Sequence, residues 1–423
     1  MRRNLVLLAL CQGLFLTNSI TFIAVNGLVG LSLAPLGWLA TLPIMGYVAG
    51  SAVATSLVAK SQQKLGRKKA FQLAIAVAIG SSMLCFIAAL MRDFWLLVLA
   101  TVIAGFYQAN AQLYRFAAAE LAPEGLKEKA VSWVLAGGIL GGVLGPNLAA
   151  LTKDFFEVPF AGSYLSLVIV GMLASLLMAK IDFRPPASKP LLASELPAPS
   201  TQAQSASSAE MNRLGALAPQ MGVPRSIGEI MRQPVFIVSA LGAALGYGVM
   251  NLLMAATPLA MQTCGLPFGD ATFVLQWHVI GMFAPGFFTG HLIKRYGALS
   301  VMQGGVFLNF VCIGIALSGT ELMEFTLALF ILGVGWNFLF TASTTLGLSS
   351  YRAEEKDKAQ GALNFWVFFT MGLTSLGSGA LVTTQGWACL NTLSILPISL
   401  LGLALLVYTR WLRRQSSQSV RIS

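Results

Sequence analysis

Charge is scarce in this sequence. Of 423 residues only 10% are Asp, Glu, Lys or Arg, where a soluble chain carries about a quarter. A soluble enzyme is thereby excluded. Cysteine is sparse as well: five residues scattered along the chain build no disulfide scaffold. The 42 glycines follow no period, which excludes a collagen-like chain. What fills the sequence is apolar: 56% hydrophobic residues and a mean hydropathy of +0.75. The formal charge is +11. In so apolar a chain this excess does not imply nucleic acid, because cytoplasmic loops of membrane proteins collect Lys and Arg.

A spanning helix needs roughly 20 mostly apolar residues. Twelve stretches qualify: 5–28, 36–59, 70–90, 94–116, 130–151, 160–180, 234–262, 271–293, 298–318, 323–347, 359–382 and 387–409. The first is too long, and lacks the small-residue cleavage site, to be a removable signal peptide. With the N-terminus placed in the cytoplasm and sides alternated, 25 of the 27 Lys and Arg fall inside; only Arg92 and Lys153 fall outside. The positive-inside rule therefore predicts cytoplasmic termini, and a bacterial inner membrane is the simplest setting. Residues 182–229, rich in Pro, Ala, Ser and Gln, are too poor in large apolar side chains to pack. They predict a cytoplasmic linker, with a short amphipathic piece near 211–221, between a six-helix half at 1–181 and another at 230–423. The fold class expected is an all-α membrane protein of twelve spans in two halves.

The two halves repeat a local signal. The loop after the second stretch reads from Ala59 through Gly66, Arg67 and Lys68; the loop after the eighth runs from Gly290 and His291 through Lys294, Arg295, Tyr296 and Gly297. Both resemble the G-x-x-x-D-[RK]-x-G-[RK]-[RK] signature of the major facilitator superfamily. The resemblance covers the whole chain and implies a secondary transporter with conformational loops at Gly66, Arg67, Lys68, Gly290, Arg295 and Gly297. Gln63 and Lys294 stand where the family usually has Asp, which puts that residue's charge-relay role in doubt. The fifth stretch carries Gly137, Gly141, Gly145 and Pro146. This looks like the family's antiporter Gly-Pro motif, although close helix packing explains the same spacing.

Transporter sites of this kind lie near mid-membrane between the halves, where ionisable residues usually mark them. No fixed charge is evident there; Arg115 falls at the cytoplasmic end of the fourth stretch. The seventh stretch instead holds Met250 and Met254, and the eighth His278 and Met282. Each pair is four apart and shares a helix face. At 1.5 Å rise per residue, Met254 and His278 lie ~10–12 Å below the outer helix ends, and Met250 and Met282 ~16–18 Å. Chance supplies about 0.6 Met-x-x-x-Met pairs but only about 0.08 His-x-x-x-Met pairs in such a chain. Thioether and neutral imidazole suit Cu(I).

The two motifs resemble those of the CcoA-like copper importers, which supply cbb3-type cytochrome oxidase assembly. The resemblance implies Met250, Met254, His278 and Met282 as copper ligands, with copper as transported substrate and no cofactor. Cytosolic copper acceptors, the lipid bilayer and a single-chain transporter without nucleic acid complete the expected partners. Met261 and Cys264 are candidates for collecting metal at the outer mouth. Asn18, Asn26, Gln108, Asn110, Gln112, Trp336 and Asn337 are candidates for cavity lining or helix contacts. Relatives lacking the paired motifs are associated with riboflavin uptake, so an organic-solute transporter, or a drug exporter, is the competing expectation. In that case the 26 Phe and 8 Trp would stack a ring.

Overall fold

A computed structural model describes residues 2–123, 126–183, 225–352 and 355–422. Most of the expected linker, including 211–221, lies outside the described residues. All assigned elements among the described residues are helical. In chain order they are α1 (Arg2–Leu33), α2 (Leu42–Met91), α3 (Phe94–Ala111), α4 (Tyr114–Leu121), α5 (Lys127–Thr152), α6 (Ala161–Ala179) and α7 (Ile227–Met231). There follow α8 (Pro234–Thr263), α9 (Phe268–Phe283), α10 (Gly286–Tyr296), α11 (Ala298–Ser318), α12 (Leu322–Gly347) and α13 (Lys356–Ile422).

Eight helical stretches among the described residues are long and apolar enough to cross a membrane, or nine when the bent pair α9–α10 counts as one span. Two runs are far too long for a single crossing. α2, of 50 residues, breaks at Gly66 (φ 72°, ψ 167°), and α13, of 67 residues, at Gly386 (φ 80°, ψ 176°). The paired signature loops use one backbone solution, since Gly297 has φ 82° and ψ 155°. A side chain is strained at such angles, so glycine fits both loops.

The expected eighth span, 271–293, is not one helix. Pro285 has no N–H to continue the ladder, and α9 and α10 meet there at 40°. Likewise the fourth stretch is divided at Gln112–Leu113 into α3 and α4. Asp93 starts α3 by accepting from the Leu96 N–H at 3.0 Å, the N-cap bond that an aspartate supplies.

The C-terminal half has a large apolar core containing Met250, Met254, Met261, Met282 and Trp336 and a smaller one around Phe236, Leu363 and Met371, which Val48 of the other half joins. The N-terminal half has two cores, one around Phe71 and Tyr114 and one around Tyr47 and Tyr164. The halves meet at the end of the bundle away from the chain termini. There the Gly379 N–H donates to Thr41 Oγ1 at 3.0 Å, and Phe160 sets its ring edge-on to Phe268 at 4.9 Å. Deeper, α5 lies against α9, where Gln276 donates to the Val143 carbonyl at 3.4 Å.

The segment expected as linker ends in ordered structure. Ser226 and Glu229 form a reciprocal capping box at the start of α7. Just before it, Arg225 engages the fully buried Glu355 carboxylate: Nε reaches Oε1 at 3.0 Å and a terminal nitrogen reaches Oε2 at 2.7 Å. The backbone N–H groups of Arg225 and Arg352 donate to the same carboxylate, each at 2.9 Å. These bonds hold Glu355 well below the usual carboxylate range and raise Arg225 above its own.

Candidate functional site between the halves

The paired Met and His positions are all buried: Met250 3%, Met254 5%, His278 0% and Met282 8% exposed. With α8 ending at Thr263 and α9 starting at Phe268, Met254 and His278 lie about 14 and 15 Å from those ends, and Met250 and Met282 about 20 and 21 Å. The levels remain matched, Met250 and Met254 one residue deeper and His278 and Met282 three residues deeper than the sequence-based helix ends place them. The His278 ring faces α12: Nδ1 is 2.6 Å from the Leu329 carbonyl. A carbonyl only accepts, so Nδ1 carries the proton and Nε2 is the acceptor nitrogen. That Nε2 is buried and has no hydrogen-bond partner. A carbonyl fixing the tautomer while leaving the second nitrogen bare is how metal-binding imidazoles are commonly oriented.

Met261 and Cys264 are not a shared mouth. α8 continues to Thr263, so Met261 still lies on the helix face turned into the core and is fully buried, while Cys264, at the C-cap, is exposed.

The residues expected to line a cavity divide. Asn337 is a clamp: its amide donates to the Met282 carbonyl at 2.7 Å and its oxygen accepts from Thr289 at 2.7 Å, one bond on each side of the Pro285 break. Asn26 accepts from the Tyr164 hydroxyl at 2.6 Å within the N-terminal half. Asn110 accepts from Gln62 at 3.1 Å; Asn18 is buried, and Gln112 is exposed. Gln108 Oε1 and Trp336 Nε1 are buried without hydrogen-bond partners.

Trp336 belongs to an aromatic group that sequence reasoning missed. Phe340 stacks on it at 5.3 Å and 7°. Tyr247 is edge-on to Trp336 at 5.3 Å and to Phe340 at 5.4 Å, and Phe283 is edge-on to Trp336 at 6.5 Å. Tyr247, Phe283 and Phe340 are half-buried. The group faces the other half: a Cβ at Gly138 of α5 would touch Phe283 at 3.9 Å. Arg115 of α4, also underrated from sequence, brings its guanidinium within electrostatic reach of the Tyr247 hydroxyl. Its Nε is buried without a hydrogen-bond partner, and its guanidinium lies over the Phe116 ring at 4.9 Å. The signal was an isolated Arg in an otherwise apolar window.

The signature loops differ in their ties. Arg67 Nε donates to Glu120 at 3.0 Å and Lys68 to the Ala179 carbonyl at 2.6 Å, fastening the first loop to α4 and the end of α6. In the second loop Arg295 lies over the Tyr296 ring at 5.2 Å, and Gly290 is exposed. The glycine run of α5 is packing: a Cβ at Gly137 or Gly141 would sit 2.1 or 2.4 Å from the Ala9 or Gly13 carbonyl oxygen of α1.

The comparisons with known proteins agree with this architecture. The chain is 34% identical over 407 residues, 96% of its length and 95% of the relative's, to the riboflavin transporter RfnT of Brucella anthropi. It is 26% identical over 88% of its length, and 83% of the relative's, to the uncharacterised MFS-type transporter YdeG of Bacillus subtilis. Among solved structures, the D-xylose-proton symporter superposes with a TM-score of 0.67 at 12% identity, over 94% of this chain and 96% of the other. The nucleoside transporter NupG does so at 0.63 and 14%, over 97% and 99%. None of these four is named for copper, so the copper-importer resemblance stands on the two motifs alone. The Major Facilitator Superfamily model matches residues 5–375, and the chain belongs to that superfamily of multi-pass membrane transporters.

Proposed function

We propose that this chain is a bacterial inner-membrane transporter that imports a flavin-type solute by alternating access, with riboflavin the first candidate. The observation that carries the reading is the 34% identity to the riboflavin transporter RfnT across 96% of the chain. The half-buried rings of Tyr247, Phe283 and Phe340 beside Trp336 support it, because a planar heterocycle stacks on such rings. Twelve spans with cytoplasmic termini follow if α2 and α13 each cross twice and α5 and α9–α10 each cross once. The test is growth of a riboflavin auxotroph lacking its own importer. The chain should restore growth on limiting riboflavin, and failure in a well-expressed strain would sink the flavin reading.

A second reading, copper import, is favoured by one observation: the bare, buried Nε2 of His278, at a level matched by Met254. Met250, Met254, His278 and Met282 would hold Cu(I) as cargo and release it to cytosolic acceptors with stronger thiolate ligands. Accumulation of radioactive copper, measured in the same strains, separates the two readings. Uptake of copper without riboflavin would replace the first reading by the second.

A further inference from the structure

Among the described residues, two that are not glycine have positive φ: Arg92 at 53° and Phe160 at 66°. Arg92 is the C-cap of α2, where a left-handed residue is common. Phe160, with ψ −4°, is the N-cap of α6, where extended backbone is the rule, and a bulky side chain at such angles is a genuine outlier. Strain of this kind persists only where the surroundings over-determine it, and it gathers at switch regions. Part of the hold is local: the Phe160 N–H donates to the Lys153 carbonyl at 2.7 Å, and Ser163 Oγ to the Ala149 carbonyl at 3.1 Å. The rest comes from the other half. The Phe160 ring packs on the large C-terminal core, and Phe268 packs on the core around Tyr47 and Tyr164. Lys153 Nζ stands 5.9 Å from the centre of the Phe268 ring while pairing with Asp154 at 3.6 Å. Two more contacts close the same end. A Cβ at Gly379 of α13 would lie 2.3 Å from Thr41 Oγ1, and one at Gly27 of α1 3.7 Å from Leu259 of α8. Leu28, beside Gly27, is 7% exposed and belongs to the large C-terminal core. At the opposite end, the Arg67–Glu120 and Arg225–Glu355 bonds each stay within one half.

We propose that the Phe160 ring is the latch of the outer mouth, and that its left-handed backbone exists only while that mouth is shut. The Thr41–Gly379 and Gly27–Leu259 contacts complete the seal. When the halves part, the ring loses Phe268 and the C-terminal core, and nothing from the other half holds the backbone left-handed. Phe160 then relaxes to the extended angles usual at an N-cap. The strain released offsets part of the contact that is lost, so the shut form is primed to open. This rests on the alternating access and cytoplasmic termini proposed above, and not on the identity of the cargo.

The test labels the full chain in intact cells with a membrane-impermeant maleimide and needs no substrate. Cys264, exposed at this end of α8, should react at once; failure to react would put this end inside and overturn the assignment. With Cys264→Ser and Cys389→Ala as background, Leu28→Cys reports the seal. It removes volume, so it does not itself wedge the halves apart. With Phe160 in place it should react slowly, and in Phe160→Ala about fivefold faster, the value of one edge-on ring pair. Phe160→Gly also lacks the ring but takes left-handed angles freely, so it should react about fivefold more slowly than Phe160→Ala. The smaller residue should thus leave the tighter seal. Gly379→Ala, which forces a Cβ against Thr41, should speed the reaction too. Equal rates in Phe160→Ala and Phe160→Gly overturn the strained latch. Rapid reaction with Phe160 intact overturns the seal and needs no Phe160 variant to fold. Failure of riboflavin to support growth in the same strains removes the flavin reading and leaves the latch standing.

Discussion

The side-chain amide of Asn337 on α12 bonds the backbone carbonyl of Met282 at 2.7 Å, across the break that Pro285 makes in the span carrying His278. An interrupted helix leaves carbonyls without ladder partners, and here a neighbouring helix supplies one. The same Asn337 accepts from Thr289 beyond the break, so a single side chain is bonded to both α9 and α10.

Replacing Asn337 with Leu removes both bonds and leaves a buried carbonyl unpaired, a cost of about 1–3 kcal/mol. Asn337→Asp keeps an acceptor for Thr289 but has no N–H for Met282. Both variants should melt lower in detergent and transport more slowly. Native melting and uptake in the Asp variant would mean that the Met282 bond is dispensable.

Met250→Leu with Met254→Leu keeps apolar volume nearly constant, a change that cores tolerate at under about 1.5 kcal/mol per site. Riboflavin uptake should persist in this double variant, and any copper accumulation should fall. If copper uptake is found and is unaffected, the methionines are packing.

Gly141 and Gly314 make opposite forecasts. A Cβ at Gly141 would lie 2.4 Å from the Gly13 carbonyl oxygen, whereas one at Gly314 meets nothing within 4 Å. Gly141→Ala should therefore cost about 1–3 kcal/mol of stability, as overpacking does. Gly314→Ala should be neutral or slightly stabilising, given the better helix propensity of Ala. Thermal melts of the two variants side by side check the pair.

Glu355 gives a pH forecast. Its carboxyl is held below the ordinary range by Arg225 and by the Arg352 N–H. A depressed native value stabilises the folded state fully above the ordinary carboxylate range, and the gain is lost as pH falls through the native value. The native protein should therefore hold this contact across neutral and mildly acidic pH. Glu355→Gln should melt a few degrees lower at pH 7, and the gap should close only in strong acid. A gap that closes already between pH 7 and 6 would contradict the contact.

Much of the architecture was readable from sequence because its signals are local. Apolar runs gave the spans, and glycines gave the breaks at Gly66 and Gly297. The Pro285 break was equally local, but a proline inside a long apolar run reads as a tolerated kink until a neighbour such as Asn337 is seen to hold it. The meeting of Arg115 with Tyr247 joins residues 132 positions apart in different halves, and no window of sequence contains it. Met261 looked like an outer-mouth residue because it stands within a turn of the end of α8; what buries it is packing in the C-terminal core, which the sequence does not display. The polar positions of α3 and α12 stand out within apolar runs, yet which of them bond to their own bundle depends on partners far along the chain.

Helix α5 has glycines on two sides, and the sides do different mechanical work. Gly137 and Gly141 seat it against the α1 backbone; one position along, Gly142 takes the Val279 side chain so closely that a Cβ would lie 2.4 Å from it. The first contact is backbone against backbone within one half and fixes α5 to α1. The second lies on the boundary between halves, where α5 offers no projecting side chain at Gly138 or Gly142 to interlock with α9. Shear between packed helices is opposed by side chains that must disengage. With one partner smooth at these positions, the alternating access proposed above would let Val279 and Phe283 slide over α1 and α5 as over a bearing surface.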